Sequence, residues 1–376
     1  MEHKGRIRLL DILRGIAILG TLGTNIWIFA HLGDLSYITT SNYSGWWQPD
    51  DFLRMIVLFL VNGKLLGMLT IMFGVGMDLK YQQALRRKRA WPGVYLWTAA
   101  FLLIEGFLHY TFVMEYDILM SYGITAIIVA FIIKGGDRFI DRTMKVIGSV
   151  FVAFILFMLV VGLLGSNMSL GNFSEVVALY QSGSWLEQVQ YRFLNFFALR
   201  SEAFFIIPMN IFLFLLGVRM MRSGVFSPDE KGRKQRDKLF KIGIYFGVPL
   251  NMLIFIPGGA FDLPVRYLFA PLLSLGYISI IGKLLEYYKW EWLWRCLEKV
   301  GKMSLSCYVM QNIICSIVFY GWGLAFGGKV NSFMVIAIWL LISLLQIIIS
   351  SFWLQTFKTG PMEFIRQRTL KVFISN

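Results

Sequence analysis

The chain has 376 residues, of which 57% are hydrophobic and 15% are charged. Because an average soluble domain carries about 25% charged residues, this composition excludes an ordinary soluble protein and predicts an integral membrane protein. The formal charge of +14 would suit a nucleic-acid-binding protein. In a membrane protein it predicts basic loops on one side of the bilayer, so we expect no nucleic-acid partner.

The hydropathy pattern predicts an all-α fold, a polytopic helix bundle that forms a single transmembrane domain over residues 1–376. The expected spans, about ten in number by length and hydropathy, cover residues 9–30, 54–79, 92–111, 116–134, 144–165, 203–221, 242–260, 265–283, 304–326 and 333–356. The basic N-terminus resembles a signal peptide, but no small-residue cleavage site follows, so the first helix should be retained.

The 36 Lys and Arg residues are distributed unevenly between the expected loops. Most lie in the two tails and in the loops at 80–89, 134–145, 219–241 and 283–302, whereas the opposite loops carry Arg192, Arg200 and Lys329. By the positive-inside rule, both termini are predicted to be cytoplasmic in a multi-pass protein of the cell membrane. The oligomeric state stays open at this level.

Three segments depart from plain apolar spans. Arg54, Asn62, Gly63 and Lys64 interrupt the second span, which indicates a broken helix or an interfacial piece followed by a span. Residues 166–202 form a long outer segment with apolar residues at helical spacing, typical of an amphipathic helix on the outer surface or over a cavity. Residues 223–238 have the composition of a basic, solvated cytoplasmic loop.

The first span carries two ionisable residues near its start. Asp11 and Arg14 are spaced i and i+3, on one helix face, so they can neutralise each other. Because charged groups in a spanning helix cost several kcal/mol unless they are paired or face a cavity, two interpretations are open. The pair is either a salt bridge at the cytoplasmic interface or part of a polar binding site.

The candidates for chemistry gather at the outer side. His109 ends the third span and Asp117 begins the fourth, so a tight turn can bring imidazole and carboxylate together. A carboxylate that holds the Nδ1 proton makes Nε2 a better general base, as acyl transfer requires. Glu105 lies one helical turn before His109 and favours a polar interior. A hydrogen-bonded interfacial histidine without catalysis is the plain alternative.

A metal site is the rival use of the same kind of residues, since histidine with carboxylates can bind a divalent ion. The candidate ligands on the outer side are His31, Asp34, Asp50, Asp51, His109 and Asp117. They come from separate loops and show no paired spacing such as H-E-x-x-H, so we expect no metal.

Several motifs, in order along nearly the whole chain, resemble the YeiB-like family of bacterial multi-pass membrane proteins. Residues 8–20 carry L-D-x-L-R-G-x-A-x-L-G, and Asn25 follows. The other similar stretches are Phe73, Gly74 and Gly76 (F-G-x-G), residues 109–119 (H-x-x-x-x-x-x-G-D-I-L), residues 301–311 (G-R-M-A-L-T-N-Y-L-x-Q), residues 319–327 and residues 353–366. Among the departures from the pattern, Tyr116 and Lys302 replace a glycine and an arginine, and Cys307 and Asn312 replace an asparagine and a serine.

The L-D-x-x-R-G opening is also similar to transmembrane acyltransferases of the heparan-glucosaminide acetyltransferase type and, more distantly, of the acyltransferase-3 type. That resemblance implies an acyl-CoA donor, such as acetyl-CoA, at the cytoplasmic face and a glycan or amine acceptor outside. The catalytic histidine of the acyltransferase-3 type, often at the end of the first helix, cannot be carried over, because this chain has Asn25 and then His31 there. His109, with Asp117, is the catalytic candidate on the YeiB-like motif instead. Substrate-binding residues would be Asp11, Arg14, Asn25, Arg266, Tyr308 and Gln311.

A transporter of a small solute or lipid, without covalent chemistry, is the contrasting function. Polar residues at several depths and a glycine-broken second span suit a carrier, although we find no inverted repeats. The acidic outer loops would repel an anionic acceptor, which favours a neutral or cationic one.

Overall fold

The computed structural model describes residues 7–164, 172–287 and 289–374. Over these residues the chain is all-α, and no strand occurs among them. The α-helices are α1 Arg8–Ala30, α2 Pro49–Val61, α3 Lys64–Arg86, α4 Val94–Phe112, α5 Leu119–Lys134, α6 Asp137–Leu163, α7 Ser174–Ser182, α8 Trp185–Leu194, α9 Phe196–Leu199, α10 Ala203–Ser223, α11 Glu230–Ile242, α12 Val248–Met252, α13 Ala270–Tyr287, α14 Glu291–Lys302, α15 Ser304–Phe319, α16 Ser332–Thr356 and α17 Pro361–Ile374. Short 3₁₀ turns cover Leu35–Ile38 and Leu253–Phe255, and π-helical turns cover Gly243–Gly247 and Pro264–Phe269.

Within the described ranges, seven helical stretches are long and apolar enough to cross a membrane, or eight if α14 and α15 count as one span bent by 83°. The expected spans at 92–111 and 116–134 do form helices, α4 and α5, but neither passes this test of length and hydropathy. Glu105 and His109 lower the hydropathy of α4, and α5 is short. The count of ten spans therefore stays a prediction.

The bundle has two chemically different ends. One end, which we call the basic end, holds Arg8, Lys80 and Arg366; the other, the cavity end, holds His31, His109 and Asp117. The end of α1 and the α4–α5 turn meet there, since the Tyr116 hydroxyl donates to the Gly33 carbonyl over 3.2 Å. α1 is the central element because it is mostly buried and contacts α3, α14, α15 and α16.

Glycines let two helix pairs approach backbone to backbone. A Cβ on Gly301 of α14 would lie 1.7 Å from the Asp11 carbonyl oxygen, and a Cβ on Gly217 of α10 would lie 2.1 Å from that of Ile71. Both separations are impossible for any larger residue. Small residues at such crossings replace the hydrophobic driving force that helices lack in lipid.

The second span is a broken helix, as one interpretation of its sequence predicted. α2 ends at Val61 and α3 starts at Lys64, with Gly63 at a φ of +74° that favours glycine. Asn62 donates from Nδ2 to the Ile38 carbonyl over 2.9 Å, which holds the break in place. The Lys64 ammonium is buried and lies 5.8 Å from the Phe59 ring centroid.

The outer segment at 166–202 forms three helices, α7 to α9, although its first residues, 166–171, lie outside the described part of the chain. A capping box between Ser184 and Glu187 starts α8. The expected amphipathic pattern is present, but its apolar side chains Leu186, Phe193 and Phe197 are exposed. Arg192 faces inward and donates to the Val113 carbonyl over 2.9 Å. Apolar side chains on the outside and a polar side chain on the inside are what we expect of a helix that lies against lipid, because lipid is an apolar solvent.

The interpretation of residues 223–238 as a solvated linker is wrong for more than half of that stretch. α11 begins at Glu230, and the Asp229 side chain caps it by accepting from the Gly232 amide over 2.8 Å. Arg236 of this helix is buried and donates to the Val225 and Ser227 carbonyls. The basic composition alone did not indicate the Asp229 cap or the buried Arg236 side chain.

Candidate functional site at the cavity end

The tight turn between α4 and α5 brings His109 and Asp117 together. The His109 Nδ1 atom lies 3.0 Å from Asp117 Oδ1, and both side chains are almost fully buried. Gly106 makes this possible, since a Cβ there would lie 2.3 Å from the Met120 amide nitrogen. A carboxylate at Nδ1 fixes the tautomer, so Nε2 carries the free lone pair of a neutral imidazole.

Other groups hold Asp117 in position. The Met120 amide donates to Oδ2 over 3.0 Å, and the Tyr308 hydroxyl donates to Oδ1 over 3.3 Å. Arg200 donates to the Asp117 carbonyl over 2.7 Å and to Ser121 Oγ over 2.8 Å. The Asp117 carboxylate is therefore held by the Met120 amide and the Tyr308 hydroxyl, and Arg200 holds the backbone of the same residue.

The other face of the imidazole meets a residue that the sequence analysis did not select. Asn312 Nδ2 lies 3.3 Å from His109 Nε2, which it can reach as a donor. Asn312 is four residues after Tyr308, on the same face of α15, and this spacing is the signal that could have identified it. The Tyr308 ring lies beside the imidazole, with ring centroids 5.2 Å apart.

A cavity of about 50 Å³ lies next to this pair. Asp117 lines it together with Asn25, Arg200 and Arg266, and among the described residues His109 is not part of its wall. It adjoins a larger cavity of about 520 Å³, since Tyr116, Glu202, Arg266 and other residues line both. The buried pair thus lies beside a small cavity, and the ligand-sized space is the next one.

The boundary between the two cavities is charged but locally neutral. Arg266 Nη2 lies 3.3 Å from Glu202 Oε1, and the Tyr267 hydroxyl also donates to Glu202. Nearby, burial raises the pKa of Asp262 to about 6, against hydrogen bonds from Thr40. Arg266 was a predicted binding residue, whereas no sequence pattern singled out Glu202 or Tyr267.

The remaining predicted binding residues lie in three different places. Asn25 lines the small cavity, so it is near Asp117 as expected. Gln311 is buried beside α16, where its Oε1 accepts from Gln346 Nε2 over 3.1 Å. Asp11 and Arg14 form an ion pair with a 3.7 Å separation at the basic end, far along α1 from the cavities.

Three cations meet at the basic end, and we call this group the basic vestibule: Arg14, Lys80 and Arg366. The positive charges of Arg14 and Arg366 repel that of the Lys80 ammonium, which lies 5.3 Å from the Tyr95 ring centroid. The positive charge of Arg366 also attracts the Glu105 carboxyl group, deeper in the bundle. Glu105 is 5% exposed, and neither carboxylate oxygen has a hydrogen-bond partner among the described residues.

The candidate metal ligands have separate partners. His31 stacks on Tyr37 with ring centroids 3.3 Å apart, Asp50 accepts from Ser332, and Asp51 pairs with Arg54. In the described ranges, no group of three or more His, Cys, Asp or Glu side chains is arranged to hold a metal ion.

The chain is similar to one family model and to two uncharacterized bacterial proteins. Residues 220–371 match the family model described as "Protein of unknown function (DUF418)". Uncharacterized protein YxaH of Bacillus subtilis (strain 168) is 25% identical over 382 residues, which cover 96% of this chain and 93% of the relative. Uncharacterized protein YeiB of Escherichia coli (strain K12) is 25% identical over 390 residues, which cover 96% of each. The family match and the two relatives support a YeiB-like family for this chain. The family model includes α15 and Asn312, while His109 and Asp117 lie before the matched residues.

Proposed function

We propose that this YeiB-like protein is a membrane-embedded acyltransferase. It moves an acyl group, such as acetyl, from a cytoplasmic acyl-CoA to a hydroxyl or amine acceptor, such as a glycan, on the other side of the membrane. The buried His109–Asp117 pair, whose Asp117 lines a small cavity that adjoins one of about 520 Å³, is the observation that carries this proposal. A histidine oriented by a carboxylate is the arrangement that general base catalysis requires.

In the proposed reaction, the acceptor hydroxyl or amine gives its proton to His109 Nε2 as its oxygen or nitrogen attacks the thioester carbonyl carbon. The carbon–sulfur bond then breaks, and the thiolate of coenzyme A takes the proton back from the imidazolium. Asp117 stabilises the imidazolium that forms between these steps. Asn312 occupies Nε2 in the structure, so its amide must move aside to admit the acceptor.

The basic vestibule supports the donor side of the proposal. Clustered Arg and Lys side chains suit the phosphates of coenzyme A, because guanidinium and ammonium groups form strong charge-assisted hydrogen bonds to phosphate oxygens. From Val94 to His109, α4 rises about 22 Å, which is the depth that the thioester arm must reach. Tyr308, whose ring lies beside the imidazole and whose hydroxyl donates to Asp117 in the structure, is the candidate donor to the developing oxyanion, toward which its hydroxyl must turn.

The test is acetyl-CoA binding to the purified protein in detergent, measured by calorimetry on wild type, His109→Ala and Arg14→Ala. We expect micromolar binding that persists in His109→Ala and weakens in Arg14→Ala. Labelled acetyl-CoA with a panel of amino sugars then tests transfer, which His109→Ala should abolish. Absence of acetyl-CoA binding in all three proteins would overturn the proposal.

A carrier is the second candidate, and one observation favours it. Glu105, His109 and Asp117 form a series of buried ionisable groups from the middle of α4 to the cavity, as in proton-coupled transporters. A carrier requires proton uptake by sealed vesicles when substrate is added, and Glu105→Gln should remove that uptake. An acyltransferase shows no such proton flux.

A further inference from the structure

An apolar groove lies on the side of the bundle, next to the larger of the two cavities. It has a volume of about 460 Å³ and lies between α6 and α10. Its walls are apolar throughout: Val146, Val150 and Phe154 on one helix, and Phe204, Pro208 and Ile211 on the other. Phe204 lines both the groove and the 520 Å³ cavity, so the two spaces are neighbours on either side of this ring.

The two cavities contain polar groups, whereas the groove is apolar. The small cavity beside Asp117 and the larger one are each lined by polar and apolar side chains, and the larger combines Glu202 and Arg266 with Met158 and Phe205. The groove then runs from the cavity end toward the middle of the bundle. A ligand that fills all three has a polar head and an apolar chain.

The dimensions of the groove match a membrane lipid. From Met158 to Val146, α6 rises about 18 Å, and half of a hydrocarbon core is about 15 Å. α6 is largely unburied by the rest of the protein, so the groove opens toward the bilayer rather than toward water. Pro208 inside α10 removes one helical hydrogen bond at the groove wall.

The charges at the head end limit the kind of lipid. Arg266 is paired with Glu202, and Arg200 is bonded to the Asp117 carbonyl and Ser121. Carboxyl groups outnumber arginines in the walls of the two cavities, with Glu115, Asp117, Glu202 and Asp262 against Arg200 and Arg266. This excess of acidic groups disfavours an anionic head group and suits a polar one without net negative charge.

We propose that the two cavities and the groove bind one membrane lipid, with its uncharged or zwitterionic head beside Asp117 and Arg266 and one acyl chain between α6 and α10. This lipid is the acceptor, or carries it; that role rests on the proposed acyltransferase function, whereas the binding site does not. The acceptor then enters sideways from the outer leaflet, without crossing the acidic outer loops.

Lipid labelling tests the site directly. The protein is reconstituted into vesicles with a trace of phosphatidylethanolamine that carries a diazirine at the glycerol end of one acyl chain, and labelled peptides are mapped after illumination. We expect label on residues 199–205 and 260–267, inside the cavities. Excess unlabelled phosphatidylethanolamine should compete for this label, and anionic phosphatidylglycerol should compete far less.

Two tryptophan variants on α6 provide a matched comparison. Val150→Trp fills the groove, whereas Val152→Trp places the same bulk on an exposed position that does not line it; the two valines are 66% and 36% exposed. We expect Val150→Trp to reduce the internal label about tenfold, equivalent to about 1.4 kcal/mol, and Val152→Trp to leave it unchanged. Equal labelling of both variants, or label confined to outward-facing surfaces, would overturn the site.

The outcomes separate this proposal from the catalytic one. Internal lipid labelling without any acyl transfer keeps the lipid site and removes the acyltransferase. Acyl transfer to a water-soluble amine without internal lipid labelling keeps the enzyme and removes the lipid acceptor.

Discussion

Three side chains surround the His109 imidazole. Asp117 fixes the tautomer, Tyr308 bonds the carboxylate, and Asn312 covers Nε2. The carboxylate and the imidazole come from one short turn, so their proximity could be predicted from the sequence. Asn312 comes from a helix 203 residues further along the chain, and no local pattern reports a contact of that separation.

Asp117→Asn should reduce acyl transfer by about 10²–10⁴-fold, because an amide can present its NH₂ group to Nδ1 and so stabilise the wrong tautomer. Acetyl-CoA affinity should be unchanged, since the carboxylate lies at the opposite end from the basic vestibule. Transfer of labelled acetyl groups in proteoliposomes measures the effect, with Asp34→Asn as the control. Unchanged transfer in Asp117→Asn would exclude the pair as the catalytic base.

His31 makes the stability of the fold depend on pH. Burial, together with the positive charge of Arg54, lowers the pKa of His31 to about 3, and Asp50 opposes this. The unfolded chain binds a proton near pH 6.5 and the folded chain does not. Stability from this residue is therefore complete above pH 6.5 and declines as the pH falls toward 3.

His31→Phe keeps a ring stacked on Tyr37 but cannot titrate. We expect the melting temperature of wild type in detergent to fall more between pH 7 and pH 4.5 than that of His31→Phe. Asp262, whose pKa burial raises to about 6, titrates in the opposite sense and contributes equally to both proteins. Parallel pH profiles for the two proteins would contradict this assignment.

The existence of the helices was the most predictable feature of the chain, because apolar runs of membrane length leave few alternatives. Their ends were less predictable: α3 continues to Arg86, beyond the expected 79, and α15 ends at Phe319, before the expected 326. The break at Gly63 could be predicted from polar residues inside an apolar run. The inward polar face of α8 and the helix in the basic loop could not, since both depend on partners elsewhere: Arg192 on Val113 and Arg236 on Glu286. Local composition contains no information on such partners.

The α1–α14 crossing should be the most sensitive helix contact. Gly301→Ala places a methyl group against the Asp11 carbonyl and should lower the free energy of unfolding by about 1–3 kcal/mol, as overpacking does. Gly162→Ala on α6 meets its nearest neighbour at an ordinary 3.4 Å and is the control. Thermal unfolding in detergent compares them, and equal melting temperatures would refute a tight crossing.

α17 contributes one cation to the basic vestibule. Arg366→Ala should weaken acetyl-CoA binding about tenfold, since one charge-assisted contact to phosphate is lost. Arg368, two residues away, stacks on Phe364 instead, so Arg368→Ala should bind as wild type does. Calorimetry on both variants decides whether α17 takes part in donor binding.

The distribution of basic residues predicts the orientation of the whole molecule, with the basic end in the cytoplasm. Cys296 lies at this end, while Cys307 and Cys315 are buried. In intact cells, a membrane-impermeant maleimide should label a Ser44→Cys variant at the cavity end and leave wild type unlabelled. Labelling of Cys296 from outside would reverse the assignment.

α14 meets α15 at 83°, and Trp290 and Trp292 at its start are exposed. Since α15 is a predicted span, α14 lies near the plane of the membrane, where tryptophan prefers the head-group region. α14 thus fixes the depth at which the basic end lies in the membrane. In a thinner or thicker bilayer the mismatch is taken up at the opposite face, so lipid chain length sets how far the cavity mouth stands from the head groups.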